Sequence, residues 1–175
     1  MKKLLPILFL FSCIIAFSQQ KAKIGMSLEE AKKLFPTAKE SKYEKEINLT
    51  IEDTLHGLVS AWGLNFKENK LTWLLFSNYI GELSDANFKK CLKATKEIIA
   101  DYTKWYGEPD ELITGNQKYV DPYKKRHWGY DVLEARWKNV NGEKMKVEFT
   151  FMGGKGEYQF LVVVNHFHKD YPYYE

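Results

Sequence analysis

The segment 145–167, MKVEFTFMGGKGEYQFLVVVNHF, decides the fold. Apolar residues occupy alternate positions in its first part, at Met145, Val147, Phe149 and Phe151. Such alternation is typical of an antiparallel strand with one buried face. The glycine-rich stretch 153–156 predicts a hairpin turn, and 158–167 is the apolar partner strand. The segment therefore predicts two neighbouring antiparallel strands.

Further strands are predicted on the N-terminal side of this hairpin. They cover residues 47–51, 58–67, 71–80 and 128–137, with a short strand at Leu112-Ile113. Tight turns are predicted at 68–70 and at Asn141-Gly142. Within the strand 71–80, alternation places four apolar side chains on one face, at Leu71, Trp73, Leu75 and Tyr79. About seven strands are expected in total.

Two helices interrupt the strands. The first begins after Ser27, where Glu30 completes a capping box, and it ends before Pro36. The second begins at Ser84 or Asp85 and ends at Gly107, with Pro109 just beyond. Its apolar positions recur at spacings of three and four, at Phe88, Cys91, Leu92, Thr95, Ile98, Ile99, Tyr102, Trp105 and Tyr106. Both helices are expected to bury one face.

The order of elements predicts an α+β fold. It consists of two short helix-plus-antiparallel-meander units in tandem, with the helices packed on one face of an antiparallel sheet. Residues 19–175 are expected to form a single domain, with subunits at 24–82 and 84–168. The 15% aromatic and 28% charged residues exclude disordered and collagen-like chains.

The N-terminal residues 1–18 are predicted to be a signal peptide. Lys2 and Lys3 precede an apolar run, and Ala16-Phe17-Ser18 provides small residues for cleavage before Gln19. The protein is therefore expected in the periplasm or outside a Gram-negative bacterium, with no membrane span after cleavage. An alternative is lipidation at Cys13, although the bulky Phe11 is atypical of the lipoprotein signal box.

The charge balance gives no reason to expect nucleic acid as a partner. The chain has 26 basic and 23 acidic residues, and loss of Lys2 and Lys3 with the signal peptide leaves 24 basic residues. A nearly neutral chain lacks the positive charge that binding to phosphates requires. No cofactor is expected either.

Two short patches resemble a known group of proteins. Residues 24–31, IGMSLEEA, and the ending Tyr106-Gly107-Glu108-Pro109 resemble the helix-plus-meander units of two related families. These are the beta-lactamase inhibitory protein and the small outer-membrane assembly lipoproteins of the SmpA/OmlA type. The resemblance implies a short helix packed on an antiparallel sheet, repeated in tandem, and a role in binding another protein. The inhibitor's paired cysteines have no counterpart here.

A search for catalytic patterns favours a non-enzymatic protein. The chain contains no Gly-x-Ser-x-Gly motif, no Cys/His signature and no Walker spacing around Lys155. The most suggestive residues are His166 and His168, because residues at i and i+2 on a strand point the same way and two imidazoles can share a metal. Asp170 or His127 would supply a third ligand. A metal-dependent hydrolase is the least favoured alternative.

Aromatic residues indicate a binding surface on the other face of the sheet. In strand 128–137, Leu133, Ala135 and Trp137 are expected to face a helix. The alternate positions are then expected on the open face, at Trp128, Tyr130, Val132, Glu134 and Arg136. Exposed Trp and Tyr beside Arg are typical of binding hot spots, so Trp128, Tyr130 and Arg136 are the candidate binding residues.

Three functions follow, in order of preference. The first is an exported binding module that contacts a protein or a component of the cell envelope through the open sheet face. The second is a carrier of a small molecule or lipid, held between the sheet and the helices. The third is the metal-dependent hydrolase at His166 and His168. An apolar cavity would favour the carrier, three converging ligands the hydrolase, and an exposed aromatic patch the binding module.

Overall fold

The described part of the chain contains an eight-stranded antiparallel sheet and two helices. The computed structural model describes residues 22–121, 129–154 and 157–170. The helices are α1 (Leu28–Leu34) and α2 (Asp85–Tyr106). The strands are β1 (Lys39–Tyr43), β2 (Glu46–Leu55), β3 (Leu58–Lys67), β4 (Lys70–Ile80), β5 (Glu111–Thr114), β6 (Gly129–Val140), β7 (Glu143–Gly154) and β8 (Glu157–His168). The predicted mixture of helix and antiparallel sheet is confirmed, with β1 as a strand that the sequence did not predict.

The strand order across the sheet is β1-β2-β3-β4-β8-β7-β6-β5. Each group of four strands follows one helix and forms a meander, in which consecutive strands pair antiparallel. The two meanders join where β4 pairs antiparallel with β8, from Trp73 opposite Phe167 to Ile80 opposite Phe160. The strands β1 and β5 therefore lie at the two edges of the sheet.

Local sequence signals explain the ends of both helices. The Ser27 hydroxyl accepts a hydrogen bond from the Glu30 amide at 3.2 Å, and the Glu30 carboxylate accepts one from the Ser27 amide at 2.8 Å. This is the predicted capping box. Ser84 caps α2 by accepting a hydrogen bond from the Asn87 amide, and Gly107 ends the helix with a positive φ of 88°. A side chain would strain that conformation, so glycine is the suitable residue there.

The core lies between α2 and one face of the sheet. Six α2 residues are buried, namely Phe88, Cys91, Ala94, Thr95, Ile98 and Tyr102. The rings of Phe88 and Phe149 lie 5.2 Å apart, and those of Tyr102 and Trp137 lie 5.6 Å apart. We call the sheet face that contacts α2 the inner face and the opposite one the outer face. Trp105, predicted on the buried side of α2, is only half-buried.

The turn between β2 and β3 contacts α2. His56, in that turn, places Nε2 2.9 Å from an Asp101 carboxylate oxygen and Nδ1 3.4 Å from one of Glu97. These polar contacts join the first meander to the helix that precedes the second. They also account for two acidic residues on the otherwise lysine-rich surface of α2.

Candidate functional site

The predicted binding residues do not share one surface. Trp128 lies outside the described residues. The Tyr130 ring lies against the core, with its centroid 5.3 Å from that of Phe151. Arg136 is paired with Lys146, and its side chain lies on the outer face, as predicted. The placement of Tyr130 on the outer face is therefore wrong.

A bulge in β6 explains the error. Asp131 pairs with Thr150 and Leu133 pairs with Phe149, so Val132 is an extra residue in β6. An extra residue reverses the alternation on one side of the bulge. Tyr130 consequently shares the inner face with Ala135 and Trp137. Val132, also predicted on the outer face, is fully buried in the core.

Exposed apolar side chains concentrate on the outer face. Among the described residues, seven large hydrophobic residues are exposed. The register places five of them on the outer face, namely Tyr43, Val59, Tyr79, Ile113 and Met152. The other two are Leu34 on α1 and Leu112 on the inner side of β5. Isolated exposed apolar residues are normal, but a concentration on one face indicates an interaction surface.

The paired strands β4 and β8 carry six apolar side chains along the middle of this face, with Ser77 and Asn165 between them. We call this set the outer strip; it consists of Trp73, Leu75, Tyr79, Leu161, Val163 and Phe167. Tyr79 is 58% exposed, whereas the β8 members Leu161, Val163 and Phe167 are buried, at 8%, 8% and 5% exposure. Trp73, Leu75 and Tyr79 share this face as predicted. Leu71 does not, because a bulge beside it turns its side chain into the core opposite Phe66.

Two contacts fix the orientation of Trp73. Its indole N–H donates a hydrogen bond of 3.1 Å to the Asn165 amide oxygen. Its ring stacks on Phe167, with the centroids 5.8 Å apart and an angle of 12° between the planes. A half-buried Trp held in one orientation loses little side-chain freedom when a partner binds, which is a property of binding hot spots.

Charged side chains cover the outer face beside the outer strip. Glu134 is directly opposite Glu148, and Arg136 is directly opposite Lys146. Each acid is paired with the base two residues away on its own strand: Glu134 contacts Arg136, and Glu148 contacts Lys146 at 2.6 Å. Arg136 also contacts Glu111 at 3.3 Å. These pairs offset the repulsion between like charges on neighbouring strands.

His166 and His168 have different surroundings. His166 is on the inner face and is 2% exposed, with both ring nitrogens in contact with other side chains. His168 is exposed at the end of β8, and its Nδ1 lies 3.4 Å from an Asp170 carboxylate oxygen. Within the described ranges, no three His, Cys, Asp or Glu side chains are grouped to hold a metal ion. His127 lies outside those ranges, and the metal site stays a prediction.

A buried chain of polar groups, which no sequence pattern indicates, surrounds His166. Nε2 of His166 lies 2.5 Å from the Tyr102 hydroxyl, and Nδ1 lies 3.2 Å from a Glu143 carboxylate oxygen. The other Glu143 oxygen accepts a hydrogen bond of 3.2 Å from the Ile24 amide. Burial raises the pKa of Tyr102 well above its usual value, so this phenol stays protonated. The chain links α2, β7, β8 and the segment before α1.

A pocket of about 320 Å³ opens beside this chain. The residues that line it are Ala22, Lys23, Ile24, Tyr106, Val140, Asn141, Glu143, Met145 and His166. Burial, and next the charge of Glu143, raise the pKa of Tyr106. Its hydroxyl is therefore neutral at physiological pH and can both donate and accept a hydrogen bond. We call this the Glu143 pocket.

Comparison of the chain with protein-family models, curated protein sequences and solved structures gave no match. Its class is therefore set by the fold alone, which is mixed: the residues that the structure describes form two helices and an eight-stranded antiparallel sheet. In the part of the chain that the structure describes, neither helix has the length and apolarity needed to cross a membrane.

Proposed function

We propose that the chain is an exported, non-enzymatic binding module that contacts another protein or a component of the cell envelope through its outer face. The observation that carries the proposal is the outer strip, a row of aromatic and aliphatic side chains along β4 and β8 whose β4 members are half-buried or exposed. Its exposed member Tyr79 and the neighbouring Val59 offer apolar surface to a partner. Trp73, fixed by Asn165 and Phe167, is the expected anchor.

The charged residues beside the outer strip fit the same role. Apolar surface at the centre of an interface is usually bordered by polar groups that stay partly hydrated. Arg136, one of the residues predicted from the sequence, belongs to this border. Because its guanidinium is already paired with Glu134 and Glu111, we expect it to orient a partner more than to supply most of the affinity.

The strand order supports the further proposal of two tandem units, 24–82 and 84–168. Two copies of a helix-plus-meander unit related by a twofold axis through the sheet would meet at their last strands, and those strands would run antiparallel. Strands β4 and β8 are related in this way. The proposed resemblance to the inhibitory protein and to the assembly lipoproteins rests on this order and on the two sequence patches.

Site-specific photocrosslinking tests the binding function. A photoreactive residue is placed at position 79 on the outer face, and a matched one at position 34, which is an exposed leucine on α1. In cells, position 79 should yield a discrete crosslinked species of higher mass, and position 34 should not. Equal crosslinking from both positions, or none from position 79, would contradict the proposal.

The Glu143 pocket supports a second candidate function, that of a small-molecule carrier. Four of its nine lining residues are aliphatic or Met, and it lies between α2 and the inner face of the sheet. The sequence analysis expects the ligand of a carrier between the sheet and the helices. The metal-dependent hydrolase at His166 and His168 remains the least favoured proposal, because the His166 ring nitrogens already contact Tyr102 and Glu143.

A further inference from the structure

We infer that the Glu143 pocket binds a small primary ammonium compound that carries a short apolar stem. The inference concerns the inner face of the sheet and does not depend on the proposed role of the outer face. It rests on the charge of Glu143, on the walls of the pocket and on the unused hydrogen-bonding capacity of the groups that line it.

The Glu143 carboxylate lines the pocket, and its side chain is 18% exposed. Its two hydrogen-bond partners are the Ile24 amide and the His166 ring. A neutral imidazole satisfies both of its neighbours, because Nδ1–H can donate to Glu143 while Nε2 accepts from the Tyr102 hydroxyl. Among the described residues, no lysine or arginine is paired with Glu143. Lys23 lines the pocket but is itself exposed to water.

The groups around this carboxylate favour an ammonium ligand. A carboxylate accepts about four hydrogen bonds, so Glu143 retains acceptor sites beyond the two in use. Tyr106 also lines the pocket, and its hydroxyl has no hydrogen-bond partner among the described residues. A compact –NH₃⁺ group with three donors matches these acceptors.

The remaining walls favour an apolar stem on the ligand. Ala22, Ile24, Val140 and Met145 form the apolar part of the lining. Met145 and His166, 3% and 2% exposed, are its most buried members, whereas Asn141 is exposed. A pocket of about 320 Å³ accommodates a ligand of a few carbon atoms, and the low exposure of Glu143 strengthens its interaction with a cation.

Calorimetric titration of the purified chain tests the inference with three probes that share a four-carbon chain and differ in their polar end group. These are n-butylammonium, n-butanol and butyrate, each titrated at pH 7 and low ionic strength. Butylammonium should bind saturably at one site, and butanol and butyrate should not. Butanol binding as tightly as butylammonium, or no saturable binding of butylammonium, would overturn the inference.

Two variants locate the site. Glu143→Gln retains an oxygen for the Ile24 amide but removes the charge, and it should weaken butylammonium binding roughly tenfold or more, as expected for loss of a charge-assisted hydrogen bond. Glu148→Gln is the matched control, since it lies on the same strand with the opposite side-chain direction, and it should bind as the wild type does. Equal binding by Glu143→Gln would overturn the inference.

The Tyr106→Phe variant covers the case in which Glu143→Gln fails to fold, as judged by circular dichroism. It removes only the hydroxyl that has no partner among the described residues, so folding should be unaffected. It should weaken butylammonium binding severalfold. Unchanged affinity in Tyr106→Phe, with Glu143→Gln unfolded, would assign any amine binding to another site and overturn the inference. None of these measurements involves the outer strip, so the two proposals fail separately.

Discussion

The Tyr102 hydroxyl lies 2.5 Å from Nε2 of His166, and this buried contact joins helix α2 to the central strand β8. Tyr102 is fully buried and His166 is 2% exposed. The Tyr102 side chain therefore has no access to water as a replacement partner. The pair therefore fixes the position of α2 on the sheet, and His166 also lines the Glu143 pocket.

The first prediction concerns this contact. Tyr102→Phe keeps the ring but leaves Nε2 of His166 buried without its partner, which should cost about 1–3 kcal/mol of unfolding free energy. Tyr106→Phe is the control, because its hydroxyl is half-buried without a hydrogen-bond partner among the described residues, and it should cost under about 0.5 kcal/mol. Urea denaturation measures both. Equal losses would mean that the Tyr102–His166 bond contributes nothing specific.

The second prediction concerns Cys91. Burial raises the pKa of this thiol to about 11, so at pH 8 almost all of it is protonated and unreactive. Iodoacetamide should therefore modify Cys91 very slowly in the folded protein and rapidly in urea. Peptide mass spectrometry distinguishes Cys91 from Cys13. Rapid labelling of Cys91 without denaturant would show that α2 opens readily or is packed differently.

The third prediction concerns pH and the capping box of α1. The hydrogen bond from the Ser27 amide, with that of the Ser27 hydroxyl, lowers the pKa of Glu30 below its ordinary value of 4.5. A group whose pKa is lower in the folded state stabilises the protein above its unfolded pKa, and that stabilisation is lost as pH falls through the folded pKa. The wild type should therefore exceed Glu30→Gln in stability at pH 7.

The difference between these two proteins should shrink as the pH falls below 4.5, because the protonated Glu30 no longer accepts both hydrogen bonds as a carboxylate. Chemical denaturation of both proteins across this range measures the effect. Glu29→Gln serves as a control, since Glu29 lies in the same first turn but takes no part in the capping box. A constant difference between wild type and Glu30→Gln at all pH values would contradict the assignment.

The sequence predicted the elements well because their signals are local. The capping box at Ser27 and the glycine at position 107 fixed helix ends, and alternation in residues 145–151 identified β7 and its buried face. The strand β1 was missed because all five of its residues, KESKY, are exposed. A polar edge strand that buries nothing shows no alternation, and it pairs only because β2 lies beside it.

The candidate sites were harder to predict because they depend on contacts between distant residues. The β6 bulge reversed the direction of Tyr130, and no turn residue or glycine at Val132 marks it. The Tyr102–His166–Glu143 chain joins residues 64 and 23 positions apart. The spacing of His166 and His168 suggested a shared metal, but only the fold shows that His166 is buried beside Tyr102. Alternation along a strand predicts which face each side chain lies on only as far as the first bulge.

The last prediction separates the outer face found in the structure from the one expected from the sequence. Tyr79→Ala removes an aromatic ring that is 58% exposed, so it should change the unfolding free energy by less than about 0.5 kcal/mol. If the outer strip binds the partner, this variant should nevertheless lose most of the crosslinking or capture seen with the wild type.

Tyr130→Ala provides the comparison. Its ring packs on Phe151, so its loss should cost about 1–3 kcal/mol, while the folded fraction should still bind. Thermal melts and pull-downs on both variants give four values to compare. A stable Tyr130→Ala variant that no longer binds would restore the surface expected from the sequence, whereas an unstable Tyr79→Ala variant would mean that this ring is packed and the outer strip is not free to bind.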